Sequence, residues 1–168
     1  MGKLLDNAYI RNFVRKLVTL LFEPGYYNRY IKIIKEELQL TETETLLDMG
    51  CGTGRFSGVT QNYTGIDINR KFIEYAREKY KKNFLAMDIS KLNFPDKSFD
   101  KTVILETLHH VDDDTFIKAI KEANRVTKKL VVIAEPIVQS KKQHLRADFD
   151  CNRYRQIHKN KREIHGID

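Results

Sequence analysis

The sequence has few cysteines and no long apolar run, and both absences narrow the class of protein. Its two cysteines, Cys51 and Cys151, form no C-x-x-C pair and no pattern of metal ligands. We therefore expect a reduced chain with no metal site. No secretory signal is apparent, and no apolar segment is long enough to span a bilayer. These features predict a soluble, cytoplasmic protein with no membrane partner.

The composition is that of one globular domain. The chain has 168 residues, of which 41% are hydrophobic, which is enough for a single core. The formal net charge of +7 permits an anionic partner but does not require one, because the basic residues are spread over several predicted helices and the tail. We divide the chain into N-terminal helices over 1–40, an α/β core over 41–136 and a basic tail over 137–168.

The most informative stretch is an apolar run at residues 45–49 that is followed by three closely spaced glycines. Gly50, Gly52 and Gly54 allow the backbone to turn sharply and to approach a ligand without a Cβ in the way. A dinucleotide fingerprint, G-x-G-x-x-G, would need its third glycine one residue later. A P-loop is excluded because no Gly-Lys-Ser/Thr follows. Asp48 lies just before the glycines, where a phosphate ligand would disfavour an acid.

Two further apolar runs end in an aspartate. Residues 63–68 carry Asp67, seventeen positions after Gly50, and residues 83–89 carry Asp88. An ionised carboxylate at the end of the neighbouring strand can accept hydrogen bonds from both hydroxyls of a ribose. Each aspartate alone is better explained as a turn or helix cap. The three runs together, in this order, are far more specific.

This acid-x-G-x-G-x-G loop with two later strand-end acids resembles the class I S-adenosylmethionine-dependent methyltransferases, over about residues 27–136. The resemblance implies that Asp48 and the Gly50 carbonyl orient the methionine ammonium of S-adenosylmethionine, or of its product S-adenosylhomocysteine. It assigns the ribose to Asp67 and the adenine to Asp88 and the next backbone N–H. The implied cofactor-binding residues are Asp48, Gly50, Cys51, Gly52, Gly54, Asp67, Ile68, Asp88, Ile89 and Glu106.

Alternating strands and helices predict an α/β fold with a doubly wound, mostly parallel, Rossmann-like sheet. Further strands are predicted at 101–105 and 130–134, and the resemblance implies the strand order 3-2-1-4-5. The family domain normally ends in an antiparallel pair of strands, but the residues after Pro136 show no alternating apolar run. We therefore expect those strands to be missing. The exposed edge of the fifth strand would then be open to pairing with a second copy, as in a homodimer.

The helices follow from apolar spacing and caps. Asp6 or Asn7 can cap a first helix with Leu17 on its apolar face, and Asn69 can cap a later one. Three acids at 112–114 open another helix that we expect to turn Phe116 inward; capping and the helix dipole explain these acids better than a metal site. The second helix contributes three weak candidates for a lid over the site: Tyr26, Tyr27 and Tyr30.

The expected chemistry is methyl transfer to a small-molecule acceptor. His109 and His110, just past the fourth strand, are candidate bases because histidine titrates near neutral pH. Two classes of methyl acceptor are disfavoured by missing motifs. Enzymes that methylate the exocyclic amine of a nucleobase usually carry an Asn/Asp-Pro-Pro-aromatic run after the fourth strand, and this sequence has none there. Transfer to cytosine C5 needs a nucleophilic cysteine in the same region, and both cysteines lie elsewhere. Two alternatives stay open. The basic tail suggests an RNA or protein acceptor, and the domain would also suit a non-catalytic module that binds S-adenosylmethionine.

Overall fold

The computed structural model describes residues 7–22 and 26–135, and strands alternate with helices there as predicted. Two α-helices precede the sheet, and two short 3₁₀ helices, Arg55–Val59 and Leu108–His110, follow the first and fourth strands. In chain order the main elements are α1 (Ala8–Phe22), α2 (Tyr26–Leu38), β1 (Leu46–Met49), β2 (Tyr63–Asp67), α3 (Arg70–Tyr80), β3 (Asn83–Ala86), β4 (Phe99–Leu105), α4 (Asp113–Val126) and β5 (Thr127–Ala134).

The five strands form one parallel sheet in the order β3-β2-β1-β4-β5, which confirms the predicted order. β1 lies at the centre and pairs with β2 on one side and with β4 on the other. From β1 the chain first adds β2 and β3 on one side and then crosses to the other side for β4 and β5, so the direction of strand addition reverses at β1. Ligands bind at the carboxyl ends of the strands near such a reversal, which is where the glycine loop follows β1.

The core lies on both faces of the sheet, because alternate residues of a strand point to opposite sides. Leu47 and Met49 pack on one face with the apolar side of α4. Leu46 packs on the other face with residues of α2 and α3. Asp48 alternates with Leu47 and Met49, so it lies on the face of α2 and α3 at the level of the core.

Two predicted caps are confirmed. Asn7 Oδ1 accepts hydrogen bonds from the backbone of Tyr9 at 3.0 Å and Ile10 at 3.3 Å at the start of α1. Asn69 Oδ1 accepts from Lys71 N at 3.0 Å and Phe72 N at 3.4 Å at the start of α3. These bonds satisfy N–H groups that have no partner within the first helical turn.

Two predicted core positions are wrong. Phe116 is 36% exposed, because it lies in the first turn of α4, before the stretch that buries Ala119, Ile120, Ala123 and Val126. Leu17 is 44% exposed. The contacts of α1 with the rest of the protein include those of Ala8, Arg11 and Asn12, which lie on the side of the helix opposite Leu17.

Strand ends differ from the prediction at β3 and β5. β3 ends at Ala86, so Asp88 and Ile89 lie in the loop beyond it. β5 begins at Thr127, directly after α4. It lies at one edge of the sheet that the described residues form. The predicted loss of terminal strands and the basic tail concern residues outside the described ones, and pairing with a second copy stays a prediction. Among the described helices, none has the length and apolar character needed to cross a membrane.

Candidate functional site

A cavity of about 600 Å³ opens at the carboxyl ends of β1, β2 and β4, a size typical of small-molecule sites. Nine of the ten residues predicted to bind the cofactor line it. They are Asp48, Gly50, Cys51, Gly52, Asp67, Ile68, Asp88, Ile89 and Glu106. The sheet thus brings together residues that are up to 58 positions apart in the sequence.

Two glycines of the loop have different surroundings. At Gly52, with φ +54°, no described atom lies within 4 Å of where a Cβ would be, so this backbone borders open cavity space. At Gly54, with φ +75°, a Cβ would lie 2.7 Å from the ring of Phe84. Gly54 is the one predicted cofactor-binding residue that does not line the cavity, and it lies against the core instead. It lets the loop pack closely on β3 and α3.

The Asp67 carboxylate is held from both sides. Its Oδ2 accepts a 2.8 Å hydrogen bond from Gly52 N, and its Oδ1 accepts a 2.8 Å bond from Asn69 N. The glycine loop after β1 therefore fixes the acid at the end of β2. Each carboxylate oxygen has a further lone pair with which to accept from a ligand.

The neighbouring wall combines an acid with an apolar surface. Asp88 Oδ1 accepts hydrogen bonds from Ser90 N and Ser90 Oγ, both at 2.8 Å. Among the described residues, both hydrogen bonds to this carboxylate are therefore made to the same oxygen. Ile68 lines the cavity and is 74% exposed, which is high for an aliphatic side chain. An apolar wall next to a hydrogen-bond acceptor suits a flat, amine-bearing ring.

Asp48 is an acid inside the core. It is 2% exposed, and its Oδ2 accepts a 2.5 Å hydrogen bond from the Tyr63 hydroxyl. Burial raises the pKa of Asp48 to about 7; the Tyr63 bond opposes this rise and the nearby Asp67 charge adds to it. A carboxylate in this position is stabilised by any cation that enters the cavity beside it.

The loop after β4 forms the other end of the cavity. Glu106 has φ +52°, a conformation that non-glycine residues rarely adopt, and its N–H donates to Ala134 O at 2.9 Å. Of the two histidines predicted as bases, His110 lines the cavity. His109 places its Nδ1 2.7 Å from Glu135 Oε2, and its ring centroid lies 3.8 Å from that of His110.

Several lining residues were not predicted, and they come mainly from the N-terminal helices and the loops. Arg11 of α1 lies 5.1 Å above the Phe72 ring, and Arg55 lies 3.7 Å above the ring of Tyr27. Tyr27 and Tyr30 were lid candidates, and both line the cavity. These two could be predicted because they are aromatic residues at helical spacing. Arg11 could not be predicted from its charge, because a basic residue on a helix is usually solvated.

Comparison with known families agrees with this geometry. A family model described as a methyltransferase domain matches residues 47–134, just over half of the chain. The chain belongs to the class I S-adenosylmethionine-dependent methyltransferases. The matched range of the methyltransferase domain begins in β1 and ends with β5, so it contains the glycine loop, Asp67 at the end of β2 and Asp88 after β3.

Similar methyltransferases include two curated enzymes and one solved structure. The chain is 38% identical to the 27-O-demethylrifamycin SV methyltransferase of Amycolatopsis mediterranei over 53% of this chain and 36% of that protein. It is also 38% identical to a ubiquinone biosynthesis O-methyltransferase of Pelagibacter ubique over 50% of this chain and 38% of that one. A methyltransferase structure from Methanosarcina mazei has 30% identity and a TM-score of 0.58, over 69% of this chain and 61% of that one. The chain spans about half the length of the curated relatives it matches.

Proposed function

We propose that this protein binds S-adenosylmethionine and transfers its methyl group to a small-molecule acceptor. The observation that carries the proposal is the Asp67 carboxylate, which Gly52 N and Asn69 N hold at 2.8 Å each. This arrangement suits a ribose diol, since it fixes both oxygens while leaving each able to accept another bond. A dinucleotide with a pyrophosphate is disfavoured, because the buried Asp48 lies beside the glycine loop.

The other lining residues fit the remaining parts of the cofactor. Asp48 is the partner of the methionine ammonium, whose charge offsets the burial of the carboxylate. We assign the Gly50 carbonyl to the same ammonium; Thr107 Oγ1 lies 3.3 Å from this oxygen. Asp88 accepts from the adenine amino group and the N–H of Ile89 donates to the ring. Ile68 covers one face of the base.

Bound S-adenosylmethionine supplies a sulfonium methyl group that is already activated toward a nucleophile. The chain therefore mainly has to align the acceptor, exclude water and remove a proton. Tyr27 and Tyr30 of α2 cover the cavity and exclude water from it. His110 lines the cavity and is the residue we assign to accept the proton of a hydroxyl nucleophile.

A small, largely apolar acceptor is supported by the walls of the cavity. Tyr27, Ile31 and Leu105 line it and pack against the same apolar cluster. Such walls favour a flat or aliphatic molecule with few polar groups. The curated relatives named above are methyltransferases, one of them named an O-methyltransferase of ubiquinone biosynthesis, which supports a hydroxyl as the accepting group.

The test is a transfer assay with methyl-labelled S-adenosylmethionine. The protein is incubated with a panel of small phenols, catechols and aliphatic alcohols, and mass spectrometry follows both S-adenosylhomocysteine and the methylated product. We expect stoichiometric product from at least one small hydroxyl compound. Parallel reactions contain total RNA or a protein extract. Label transferred only to RNA or protein would contradict the small-molecule acceptor, and cofactor binding without transfer to any acceptor would favour a non-catalytic module.

A further inference from the structure

One carboxylate outside the predicted site holds the loop that closes the β4 end of the cavity. Glu135, which follows β5, accepts hydrogen bonds on Oε1 from Thr107 N and Leu108 N, both at 2.8 Å. Its Oε2 lies 2.7 Å from His109 Nδ1 and accepts a 3.4 Å bond from His109 N. Because a carboxylate only accepts, His109 Nδ1 carries a proton. A single side chain thus fixes three consecutive residues.

The loop that Glu135 holds consists of residues 106–111, and it supplies four lining residues of the cavity: Glu106, Thr107, His110 and Val111. Its backbone is strained at Glu106, where φ is +52°. Such a conformation persists only where the surroundings enforce it. The bonds to Glu135 begin at the very next residue, and Thr107 Oγ1 lies 3.3 Å from Gly50 O and 3.0 Å from Leu105 O.

The strand order shows which part of a ligand this loop meets. β2 and β3 lie on one side of β1 and end near Asp67 and Asp88, where we place the ribose and the adenine. β4 lies on the other side of β1. A ligand whose adenosine occupies the β2 and β3 end therefore extends its amino-acid part toward β4. The loop after β4 faces that part and the methyl acceptor.

We propose that Glu135 is a positioning residue for the methionine and acceptor end of the cavity, a role that rests on the proposed function. Glu135 is not among the residues that line the described cavity. It acts through Thr107, Leu108 and His109, whose bonds to it set where Glu106 and His110 stand. The role requires that loss of Glu135 weakens the amino-acid half of the ligand site and leaves the adenosine half intact.

Two probes separate these halves. S-adenosylhomocysteine contains both, whereas 5′-methylthioadenosine keeps the adenosine and lacks the amino-acid part. Calorimetry with Glu135→Ala should show S-adenosylhomocysteine weakened about tenfold or more, the loss expected when hydrogen bonds to a charged acceptor disappear. The affinity for 5′-methylthioadenosine should change less than about twofold. A loss of general stability would not distinguish the two ligands.

The matched control is Glu122→Ala. Glu122 also accepts a backbone bond, from Leu92 N at 2.7 Å, and its side chain is 19% exposed against 20% for Glu135. It lies on α4 and pairs with Arg125, away from the cavity lining. This variant should lose stability and keep both affinities.

Glu135→Gln keeps the size of the side chain and serves if the alanine variant does not fold. One amide oxygen can still accept from Thr107 N and Leu108 N, but the amide NH₂ then faces His109 Nδ1 and should force that nitrogen to become an acceptor. Nitrogen-15 spectra of the histidine rings should show His109 protonated on Nδ1 in the wild type and on Nε2 in the variant. S-adenosylhomocysteine should weaken less than in Glu135→Ala.

The outcomes separate this role from the proposed function. If the wild type binds neither probe, the proposed function fails, and the role of Glu135 fails with it. If the wild type binds both and the Glu135 variants weaken both equally, or neither, the positioning role alone is overturned. An unchanged His109 spectrum in Glu135→Gln would also overturn it.

Discussion

The hydroxyl of Tyr63 at the start of β2 donates a 2.5 Å hydrogen bond to Asp48 Oδ2 on the neighbouring strand β1. The acceptor, Asp48, is buried, with only 2% of its surface exposed. The hydrogen bond partly offsets the burial that raises the pKa of Asp48 to about 7. The charge state of this acid near neutral pH therefore links the fold to the binding of a cationic group.

The first prediction concerns the pH dependence of ligand binding. The proposed function pairs the ammonium of S-adenosylhomocysteine with ionised Asp48, so affinity should rise between about pH 6 and pH 8, and binding at the lower pH should release a proton. Tyr63→Phe removes the bond that favours the ionised form and should move the midpoint to higher pH. Calorimetry in two buffers of different ionisation enthalpy counts the protons. A flat affinity in the wild type would contradict the role of Asp48.

The same acid should limit the stability of the ligand-free protein. The folded-state pKa of Asp48 is raised from 3.8 to about 7, so the folded state holds this proton more tightly, and stability falls as pH rises through that range. Asp48→Asn should therefore raise the free energy of unfolding at pH 8, by up to about 4 kcal/mol, and leave it nearly unchanged below about pH 4. Urea denaturation measures both. The exposed Asp88→Asn is the control, and an equal gain there would refute the explanation.

The two glycines of the loop should respond differently to alanine. Gly54→Ala places a Cβ 2.7 Å from the Phe84 ring at a positive φ and should cost about 2–4 kcal/mol of stability. Gly52→Ala meets no described atom within 4 Å and should cost only the strain of its φ, about 1–2 kcal/mol, while weakening S-adenosylhomocysteine because its methyl projects into the cavity. Denaturation and calorimetry on both variants test this. A larger stability loss at Gly52 would contradict it.

The far end of the sheet contains a buried ion pair. Lys101 Nζ lies 2.8 Å from Glu44 Oε2 and donates to the carbonyls of Leu38 at 2.7 Å and Gln39 at 2.9 Å. Lys101→Met should destabilise the protein by about 3 kcal/mol, because it leaves buried acceptors without this donor. The control is Lys118→Ala, which removes a surface lysine paired with Asp114 and should not measurably change the free energy of unfolding.

The ion pair also predicts a response to acid. Hydrogen bonds from Lys101 and Lys129 lower the pKa of Glu44 from 4.5 to about 2. The stability that Glu44 contributes is present above about pH 4.5 and is lost as pH falls toward 2. In Lys101→Met this acid-induced loss should be smaller. A variant as stable as the wild type at neutral pH would show that the pair contributes nothing.

The acids that line the cavity at the β2 and β3 end could be predicted from the sequence, because strand ends leave a direct pattern. An apolar run followed by an acid marks where a parallel strand stops, and three such runs predicted Asp48, Asp67 and Asp88 together. The helix caps at Asn7 and Asn69 were predicted for a similar reason, since a cap depends on its immediate neighbours.

The rest of the site depends on contacts between residues far apart in the chain. Glu135 reaches its partners 26 to 28 residues earlier, and nothing in the local sequence marks an acid after β5 as the anchor of another loop. Arg11 lines the cavity only because α1 packs beside α3. Phe116 was wrongly predicted to be buried, because apolar spacing gives the face of a helix but not where along the helix the core begins.

The most direct test is calorimetry of S-adenosylhomocysteine with the wild type, Asp67→Ala and the surface control Asp114→Ala. The wild type and Asp114→Ala should bind with equal affinity. Asp67→Ala should lose about 1–3 kcal/mol, because two ribose hydroxyls then lack their charged acceptor. No heat with S-adenosylhomocysteine or S-adenosylmethionine, or binding of NAD in their place, would contradict the assignment of this cavity.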